Sequence, residues 1–330
     1  MQVIETISAF ETLRGGCVLT IGNFDGVHIG HQQILTTAAK VAEQRKTELV
    51  VLTFEPHPLT ALSTRRAPGT LTPLILKEHL LAELGVDCLF VVKSSPELLG
   101  LSPADFVERF VIKGLRPCVV VEGEDFNFGA GRSGNIHTLY NLGVEKGFEV
   151  VVVTARTARL SIGQDIRISS TIIRSLLESG KVADAAAAMG RPYRLIGRVV
   201  PGRGKGRKLG FPTANMAPPS QIIPAEGVYA GMVELGNSFE QVCKELEKNP
   251  AVFSIGRSLT LGGDEPLLVE AHLLTEDVPD LAGRWLAMDF AEKIRDQLKF
   301  QTEAGLSAQI EEDCQKAKKI LLTKGTDSGK

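Results

Sequence analysis

Two histidines separated by two residues, His28 and His31, lie in the segment IGNFDGVHIGH, where an apolar strand-like run passes into a helical pattern. Glycines at positions 22, 26 and 30 let this backbone turn tightly and approach a ligand closely. A helix that begins near His31 would present unpaired amides and the positive end of its dipole. Two imidazoles beside these amides can donate hydrogen bonds to phosphate oxygens, and such bonds strengthen as negative charge builds in a transition state. The segment therefore predicts a site for phosphate chemistry.

The same histidines have two other interpretations. A zinc site would need a third protein ligand and usually takes an HxxxH pair on one helix, whereas this pair is HxxH and spans Gly30. Two surface histidines at a helix start would be the default for an isolated pair. The surrounding glycines and the strand-to-helix position favour phosphate binding over both.

A second segment, PGRGKGRKLGFPTAN from Pro201, combines glycines, cations and hard metal ligands. Its glycines, which permit close backbone approach to a ligand, are Gly202, Gly204, Gly206 and Gly210. Its cations are Arg203, Lys205, Arg207 and Lys208. The sequence has no Walker pattern GxxxxGK[ST], and a solvated loop or a weak nucleic-acid patch is the alternative interpretation. The Thr213 hydroxyl and the Asn215 amide oxygen, which follow Pro212, suit Mg²⁺ bound to ATP and favour a phosphate-binding loop.

The composition argues against a general attraction for nucleic acid or membranes. Lys and Arg number 37 and Asp and Glu number 39, so the net charge of -2 gives no field that would gather polyanions. No apolar run approaches the roughly 18 residues of a membrane span, and the first residues lack the basic and apolar regions of a signal peptide. The five cysteines are widely spaced without a CxxC pair, which is typical of free thiols in a reducing compartment. We expect a cytoplasmic protein with small-molecule substrates.

The first half of the sequence alternates strand-like and helix-like segments, which predicts an α/β domain with a parallel sheet covered by helices. The strand candidates CVLTI, LVVLTF, CLFVV, CVVVE and EVVVV are nearly continuous apolar runs, as strands buried on both faces require. Helical patterns cover roughly 31–45, 76–84, 103–112 and 170–189. Ligands of such sheets bind beyond the carboxyl ends of the strands, and IGNFDGVHIGH lies at the end of the first one.

The second half has a different pattern, and Gly190 and Pro192 mark the boundary because glycine ends helices and proline cannot continue them. The pieces IGRVVPGRG, GVYAGMVEL, PAVFSIG and PLLVEAHLL are short and separated by Gly, Pro and Asn, which predicts a small antiparallel β-barrel or a sandwich. A closing helix has one apolar face, formed by Leu306, Ile310, Cys314, Ala317 and Leu321. We expect two domains, residues 1–189 and 190–330, with the terminal helix docked on the second.

The segment GNFDGVHIGH resembles the HxGH signature of a nucleotidyltransferase superfamily, whose members transfer AMP from ATP to a phosphate or carboxylate. The longer string LTIGNFDGVHIGH, followed by LTFEPHP, is similar to the prokaryotic bifunctional riboflavin kinase/FAD synthetase family. Further segments resemble that family's motifs in order: VEGEDFNFGAGRSGN at 121–135, RISSTIIR at 167–174 and GRPYRLIGRVVPGRGKGRKLGFPTANM at 190–216. The resemblance covers nearly the whole chain and implies a Rossmann-like nucleotidyltransferase domain followed by a kinase barrel.

For the first half, the resemblance implies adenylylation of FMN to FAD, in which an FMN phosphate oxygen attacks the α-phosphorus of ATP and pyrophosphate leaves. His28 and His31 would contact the ATP phosphates and the transition state. The loop residues assigned with them to ATP binding are Gly22, Phe24, Asp25 and Gly26. Asp125 would contact nucleotide or flavin. The residues assigned to the departing pyrophosphate are Arg167, Ser170, Thr171 and Arg174.

For the second half, the resemblance implies phosphorylation of riboflavin to FMN by ATP with Mg²⁺. The residues assigned to the ATP phosphates are Gly202, Gly204, Gly210 and Pro212, and those assigned to the metal are Thr213 and Asn215. Glu270 matches the family's base in its VExH segment and would take the proton of the riboflavin 5′-hydroxyl. Arg295, in KIRDQLKF, would help to close the flavin site. FMN and FAD are then substrate and product rather than bound redox cofactors.

Three departures from the family pattern fall near the expected flavin pocket of the kinase. The segment IGRSLT at 255–260 lacks the family's proline, LAG at 281–283 lacks its tyrosine, and Gln297 replaces a glutamate. Three alternatives stay open on the sequence alone. The chain could make FAD only, with a kinase-impaired flavin-binding second domain; it could adenylylate another acceptor; or it could be a non-enzymatic flavin or nucleotide-binding regulator.

Overall fold

A computed structural model of the chain describes residues 1–5, 16–58, 69–161, 163–202, 211–244, 246–257, 267–275 and 281–327, with side chains up to residue 323. The packing of the backbone divides the chain into two units. The first unit contains Met1–Ala158 and Asp165–Ser169, and the second contains Arg159–Gln164 and Ser170–Lys330.

The first unit is built on a six-stranded sheet whose neighbouring strands are all parallel. Its strands are β1 (Gln2–Ile4), β2 (Val18–Ile21), β3 (Leu49–Glu55), β4 (Cys88–Lys93), β5 (Val119–Gly123) and, after a short hairpin of β6 (Asn127–Phe128) and β7 (Gly134–Asn135), β8 (Glu149–Val153). The spatial order is β1-β4-β3-β2-β5-β8. The predicted parallel sheet is therefore confirmed.

Helices cover both faces of this sheet. They are α1 (Ile29–Arg45), α2 (Leu74–Glu83), α3 (Pro96–Leu99), α4 (Pro103–Phe106), which a π-helix over Val107–Leu115 continues, and α5 (Ile136–Lys146). Alternate residues of β2 enter different cores: Leu19 packs with Phe110, whereas Val18 packs with Leu35 of α1. Both faces of the strand must therefore be apolar, which is why its sequence is a continuous apolar run.

The strand order reverses between β2 and β5, and open α/β sheets bind their ligands at such a reversal. The two strands pair only over their first residues, Val18 with Val119 and Leu19 with Val120. Beyond these pairs the backbone ladder between β2 and β5 ends. The segments IGNFDGVHIGH and GEDFNFG leave the sheet from the carboxyl ends of these two strands.

At the end of β2, a side chain of β5 replaces the backbone of β5 as a hydrogen-bond partner. The Gly22 amide continues the pairing with β3 by donating to the Leu52 carbonyl at 3.0 Å, whereas the Ile21 amide donates to Oε1 of Glu122 at 2.5 Å. The Thr20 hydroxyl is also 3.5 Å from this carboxylate oxygen. The Glu122 side chain is buried and belongs to β5, so it joins the two strands where their backbones no longer pair.

Two short strands, β9 (Thr157–Arg159) and β10 (Asp165–Arg167), precede α6 (Ser170–Glu178) and α7 (Val182–Met189). The expectation of one helical stretch over 170–189 is wrong, because Gly180 has a φ of 72° and separates two helices. The Gly180 amide donates to the Leu177 carbonyl and the Lys181 amide to the Leu176 carbonyl, which closes the end of α6. Gly190 ends α7 in the same left-handed region, with a φ of 71°.

The second unit contains a closed antiparallel barrel, which confirms the predicted barrel. Its strands are β11 (Tyr193–Val200), β12 (Thr213–Met216), β13 (Gly227–Gly236), β14 (Asn249–Arg257), β15 (Leu267–Leu273) and β16 (Trp285–Arg295), in the closed order β11-β12-β15-β14-β13-β16. Aromatic rings fill its centre: Phe290 lies 5.0 Å from Phe253, 5.4 Å from Tyr229 and 6.3 Å from Tyr193 between ring centroids.

The longest strand of the barrel, β16, was not predicted. Its sequence WLAMDFAEKIR has few β-branched residues and contains Ala, Met, Glu and Lys, which favour helices when the local sequence alone decides. It is a strand because it pairs with both β11 and β13 and thereby closes the barrel. Tertiary pairing overrides the local preference of this segment.

Two helices accompany the barrel. The connection after β13 contains α8 (Phe239–Cys243), which confirms that the segment 237–250 is more helical than a plain hairpin. The terminal helix α9 (Glu303–Asp327) buries Cys314 and Ala317 against Val228 and Val252, as its apolar face predicts. Within the described ranges, no helix is long and apolar enough to cross a membrane.

The buried Glu122 makes the stability of the first unit depend on pH. Burial raises the pKa of this carboxyl well above its ordinary value, against the opposite effect of the Ile21 and Thr20 hydrogen bonds. A raised pKa in the folded state contributes stability that is present at low pH and is lost as pH rises through that pKa. We expect Glu122→Gln, which still accepts from the Ile21 amide, to lose less stability than the parent chain between about pH 5 and about pH 8.

Urea unfolding followed by far-UV circular dichroism at both pH values measures this difference. Glu149→Gln is the matched control, because its carboxylate on β8 pairs with Arg45 at a side chain that is 60% exposed. The control should follow the pH dependence of the parent chain. Identical pH profiles for the parent chain and Glu122→Gln would contradict the expectation.

Candidate active sites

His28 caps the N-terminus of α1. Its backbone is extended, with φ −73° and ψ 171°, and its Nδ1 accepts a hydrogen bond from the His31 amide at 3.3 Å. Because a backbone amide only donates, Nδ1 carries the lone pair and the proton of the neutral ring lies on Nε2. The cap therefore selects the tautomer whose Nε2 can donate a hydrogen bond, beside the positive end of the helix dipole.

Two glycines of the segment IGNFDGVHIGH, Gly22 and Gly30, leave room for aromatic rings. The His28 and His31 rings are stacked, with centroids 3.6 Å apart and an angle of 17° between their planes. A Cβ on Gly30 would lie 3.2 Å from the His28 ring, and a Cβ on Gly22 would lie 3.1 Å from the Phe24 ring. The Phe24 ring in turn meets His31 edge-on at 5.1 Å. Ring packing therefore favours glycine at both positions, in addition to the needs of the turn.

The loop between β2 and α1 has a strained backbone that its surroundings hold in place. Phe24 and Val27 have left-handed φ angles of 46° and 38°, each at a cost of roughly 1 kcal/mol or more. The buried carboxylate of Asp25 accepts from the Thr72 amide at 3.0 Å, and the Gly26 amide donates to the Thr72 hydroxyl at 2.8 Å. Asp25 therefore anchors the loop from inside, and its assignment to ATP binding stays a prediction.

Asp125 lies in the turn that follows β5. A Cβ on Gly123 would lie 3.3 Å from Ile34 of α1, so this turn packs against the helix close to His31. The Arg167 guanidinium contacts the Asp125 carboxylate at 3.1 Å, with side chains that are 48% and 66% exposed. The first unit thus brings together two residues that were assigned to different ligands. Their contacts with flavin, nucleotide or pyrophosphate stay predictions.

The other predicted residues of the RISSTIIR motif belong to the second unit. Ser170 is the first residue of α6, Thr171 follows it, and Arg174 lies one turn further on. Hydroxyls, amides and a guanidinium at a helix start can bind phosphate oxygens. Their role toward pyrophosphate stays a prediction.

Three strands of the barrel carry a row of polar side chains. Asn215 on β12 lies directly opposite Glu270 on β15, and Ser254 on β14 lies opposite Glu270 from the other side. Directly opposite residues of antiparallel strands share a face, and Thr213 shares it with Asn215 because they are two residues apart. The alternate residues, which include Ala214, Met216, Val269 and Ala271, are buried inside the barrel. The polar row therefore lies on the outer, half-exposed face.

The segments before β12 complete this row. A Cβ on Gly202 would overlap with the Asn215 side-chain amide, so the chain crosses close to that side chain at a glycine. The Pro212 carbonyl lies 2.9 Å from Nδ1 of His272. Five residues predicted for the kinase are therefore neighbours: Gly202, Pro212, Thr213, Asn215 and Glu270.

Arg295 joins the end of β16 to the terminal helix. Its guanidinium forms a two-pronged ion pair with Asp313, with Nε 3.0 Å from Oδ1 and Nη2 2.6 Å from Oδ2. The Arg295 side chain is 15% exposed and that of Asp313 is 3% exposed, so the pair is shielded from water. The contact of Arg295 with flavin stays a prediction.

Gln297, one of the departures from the family pattern, is a hydrogen-bond donor. Its Nε2 donates to the Ser254 hydroxyl at 3.1 Å and to the Ile255 carbonyl at 2.9 Å. A Cβ on Gly256 would lie 2.8 Å from the same nitrogen. A carboxylate only accepts, so a glutamate could not replace this amide without a rearrangement.

Part of the predicted set lies outside the described residues. It comprises Gly204, Gly210, Arg203, Lys205, Gly206, Arg207, Lys208 and the segment 258–260.

Three residues that hold these sites were missed by sequence reasoning: Thr72, Glu122 and His272. Glu122 is a lone acid at the end of the run VVVE, and His272 alternates with Glu270 in VEAHLL, so both had a signal in the sequence. Thr72 had none, because its contact with Gly26 depends on tertiary packing.

The fold and the motif positions define a class: an α/β unit with an HxGH turn at the reversal of its sheet, followed by a closed barrel. Residues 11–172 match the family model of FAD synthetase, and residues 189–321 match that of riboflavin kinase. A bifunctional riboflavin kinase/FMN adenylyltransferase from Escherichia coli (strain K12) is 38% identical over 298 residues, which are 90% of this chain and 90% of that protein.

A protein of the same description from Haemophilus influenzae (strain ATCC 51907 / DSM 11121 / KW20 / Rd) is 35% identical over 318 residues, 96% of this chain and 98% of the relative. A solved structure titled as a macrolide-efflux protein from Streptococcus pneumoniae matches with a TM-score of 0.79 at 27% identity, over 94% of this chain and 96% of that one. The activity in that title is a statement about that protein alone.

The chain belongs to the bifunctional riboflavin kinase/FMN adenylyltransferase family. It is a transferase with both activities, and FMN and FAD are its products. The bifunctional interpretation is therefore confirmed over the three alternatives that the sequence left open.

Gly30→Ala tests the ring packing of the HxGH motif. The added Cβ would press on the His28 ring, so we expect the rate of FAD formation from FMN to fall about ten-fold or more. Alanine favours a helix over glycine by about 1 kcal/mol, so the thermal midpoint should not fall. A chromatographic assay of FAD and a melting curve measure the two effects.

Gly114→Ala is the matched control, because its Cβ would lie at an ordinary 3.5 Å from the Arg109 carbonyl. It should leave FAD formation unchanged. Full activity of Gly30→Ala would show that the stacking of the histidines is not required.

Proposed function

We propose that the first unit uses ATP as the adenylyl donor and that His28 and His31 bind the reacting phosphates. An oxygen of the FMN phosphate forms a bond to the α-phosphorus of ATP, the bond from that phosphorus to the bridging oxygen breaks, and pyrophosphate leaves. No enzyme nucleophile is needed, so positioning and charge stabilisation supply the catalysis. The observation that carries this proposal is the cap at α1, which selects the His28 tautomer with its proton on Nε2.

Asp125 and Arg167 supply the second side of this site. Their ion pair has half-exposed side chains, so it contributes little to the stability of the fold. A ligand can therefore replace Asp125 as the partner of Arg167, and Arg167 as the partner of Asp125. Arg167 can then bind phosphate oxygens in a forked geometry, and Asp125 can accept a hydrogen bond from nucleotide or flavin. Ser170, Thr171 and Arg174 are proposed to bind the departing pyrophosphate.

We propose that Glu270 is the base of the riboflavin kinase. Its carboxylate takes the proton of the riboflavin 5′-hydroxyl, whose oxygen forms a bond to the γ-phosphorus of ATP as the bond to ADP breaks. The support is the register of the barrel, which sets Glu270 between Asn215 and Ser254 on one face. Arg295 is proposed to border the flavin.

Thr213 and Asn215 fit Mg²⁺ that arrives with ATP. Hydroxyl and amide oxygens are hard ligands, and Mg²⁺ in phosphoryl-transfer sites binds through few protein groups together with substrate phosphates. Gly202 leaves the space beside the Asn215 amide that a Cβ would fill. The cation, when bound, would neutralise phosphate charge. Asn215 would offer it the amide oxygen, and Glu270 would receive the proton of the substrate.

We assign FAD synthesis to residues 1–189 and riboflavin phosphorylation to residues 190–330. The end of α7 at Met189 and the left-handed Gly190 support this division, although the backbone packing groups α6 and α7 with the barrel. All five cysteines are free thiols, which supports a reducing compartment, and we propose the cytoplasm.

Two single substitutions separate the proposed sites. His28→Ala should abolish FAD formation from FMN and spare FMN formation from riboflavin, because the lost donor serves only the first unit. Glu270→Ala should do the reverse. Each variant is incubated with riboflavin or with FMN, together with ATP and Mg²⁺, and the flavins are resolved by chromatography.

His137→Ala and Glu311→Ala are matched controls, since both side chains are exposed on the same two units. Both should keep both activities. If either His28→Ala or Glu270→Ala leaves its own reaction unchanged, the role assigned to that residue is wrong.

A further inference from the structure

His272 is a half-buried histidine on β15, and neither the proposed phosphoryl transfer nor the metal site uses it. Its Nδ1 lies 2.9 Å from the Pro212 carbonyl. A carbonyl only accepts, so Nδ1 carries the proton in this contact and His272 is the donor. The hydrogen bond joins β15 to the residue that immediately precedes β12.

The ring of His272 is held from three sides. The Phe211 ring meets it edge-on with centroids 5.5 Å apart. In the sheet, Thr213 lies directly opposite His272 on β12, and the buried Val252 lies opposite it on β14. The imidazole therefore stands between the apolar cluster under α9, which contains Val252, and the polar row that begins with Thr213.

The start of β12 needs such a contact. Its pairing with β15 covers only four residues, and Pro212 has no amide proton with which to extend the ladder. The chain before it crosses the Asn215 side chain at Gly202. The His272 hydrogen bond therefore holds the Pro212 carbonyl at the point where the β12–β15 ladder ends, next to the Thr213 side chain.

We infer that His272 is a positioning residue of the riboflavin kinase: its Nδ1–H holds the Pro212 carbonyl and so fixes the Thr213 hydroxyl relative to Asn215 for Mg²⁺·ATP. This inference rests on the proposed metal role of Thr213 and Asn215. His272 itself touches neither the metal nor the phosphates in this account. It acts through the backbone that carries Thr213.

The test compares His272→Leu, which removes the donor, with His272→Asn, whose Nδ2 is attached to Cγ as Nδ1 is in histidine. The readouts are the rate of FMN formation from riboflavin and the Mg²⁺ concentration at half-maximal rate. We expect His272→Leu to lower the rate or raise that concentration by about five-fold or more, the ratio that corresponds to one net hydrogen bond. His272→Asn should stay within about two-fold of the parent chain.

Two internal measurements separate positioning from loss of structure. FAD formation from FMN by the same variant should be unchanged. The fluorescence of Trp285, the single tryptophan and a residue of the barrel, should show a folded second unit. Val252→Ala is the matched control: it removes packing from the other side of His272, so it should lower the barrel's melting point but leave the Mg²⁺ dependence unchanged.

Asn215→Ala distinguishes failure of this inference from failure of the proposed site. If Asn215→Ala changes the Mg²⁺ dependence and His272→Leu does not, the positioning role of His272 is wrong and the metal site stands. If Asn215→Ala leaves the Mg²⁺ dependence unchanged, the proposed metal site is wrong and the inference falls with it. Equal loss of kinase activity in His272→Leu and His272→Asn, with the barrel folded, would also overturn the hydrogen-bond role.

Discussion

The early end of the backbone ladder between β2 and β5 is the constraint on which the first unit depends. Parallel strands that stop pairing leave amides that must find other partners, and the Glu122 carboxylate provides one for Ile21, while the Leu52 carbonyl continues the pairing with β3. Because β2 stays joined to both neighbours, its carboxyl end is a fixed base for the HxGH loop. Thr72 then holds that loop from the side through Asp25 and Gly26. The left-handed φ angles of Phe24 and Val27 belong to this loop, and the His28 cap follows it.

In the barrel, the positions of the site side chains are fixed by strand register and not by strands that stop pairing. Closed pairing fixes which residues lie opposite one another, so Asn215, Glu270 and Ser254 form a row across three strands. Gln297 adds an amide that donates to Ser254 and to the Ile255 carbonyl, where the family pattern has a glutamate. The departure is therefore consistent with its surroundings, since both partners at that point can accept. The two activities of the chain are served by two different ways of fixing side chains.

The sequence predicted the features that depend on local pattern. The strands of the parallel sheet are continuous apolar runs because both faces are buried, and the apolar face of α9 has a helical period. It did not predict β16, which is a strand because it pairs with β11 and β13. It also did not predict the break at Gly180, because a single glycine within a helical pattern does not by itself end a helix. At the site, the motifs singled out His28, Asn215 and Glu270, whose roles stay predictions, but the contact between Asp125 and Arg167 depends on segments distant in sequence.

One chain carries two active centres, one for FAD synthesis and one for riboflavin phosphorylation. The most direct measurement incubates the pure chain with riboflavin, ATP and Mg²⁺, and separately with FMN, ATP and Mg²⁺, and resolves riboflavin, FMN and FAD over time by chromatography. We expect FAD from both mixtures, with FMN formed before FAD in the first. FAD from the FMN mixture alone, with riboflavin unchanged in the other, would contradict this expectation.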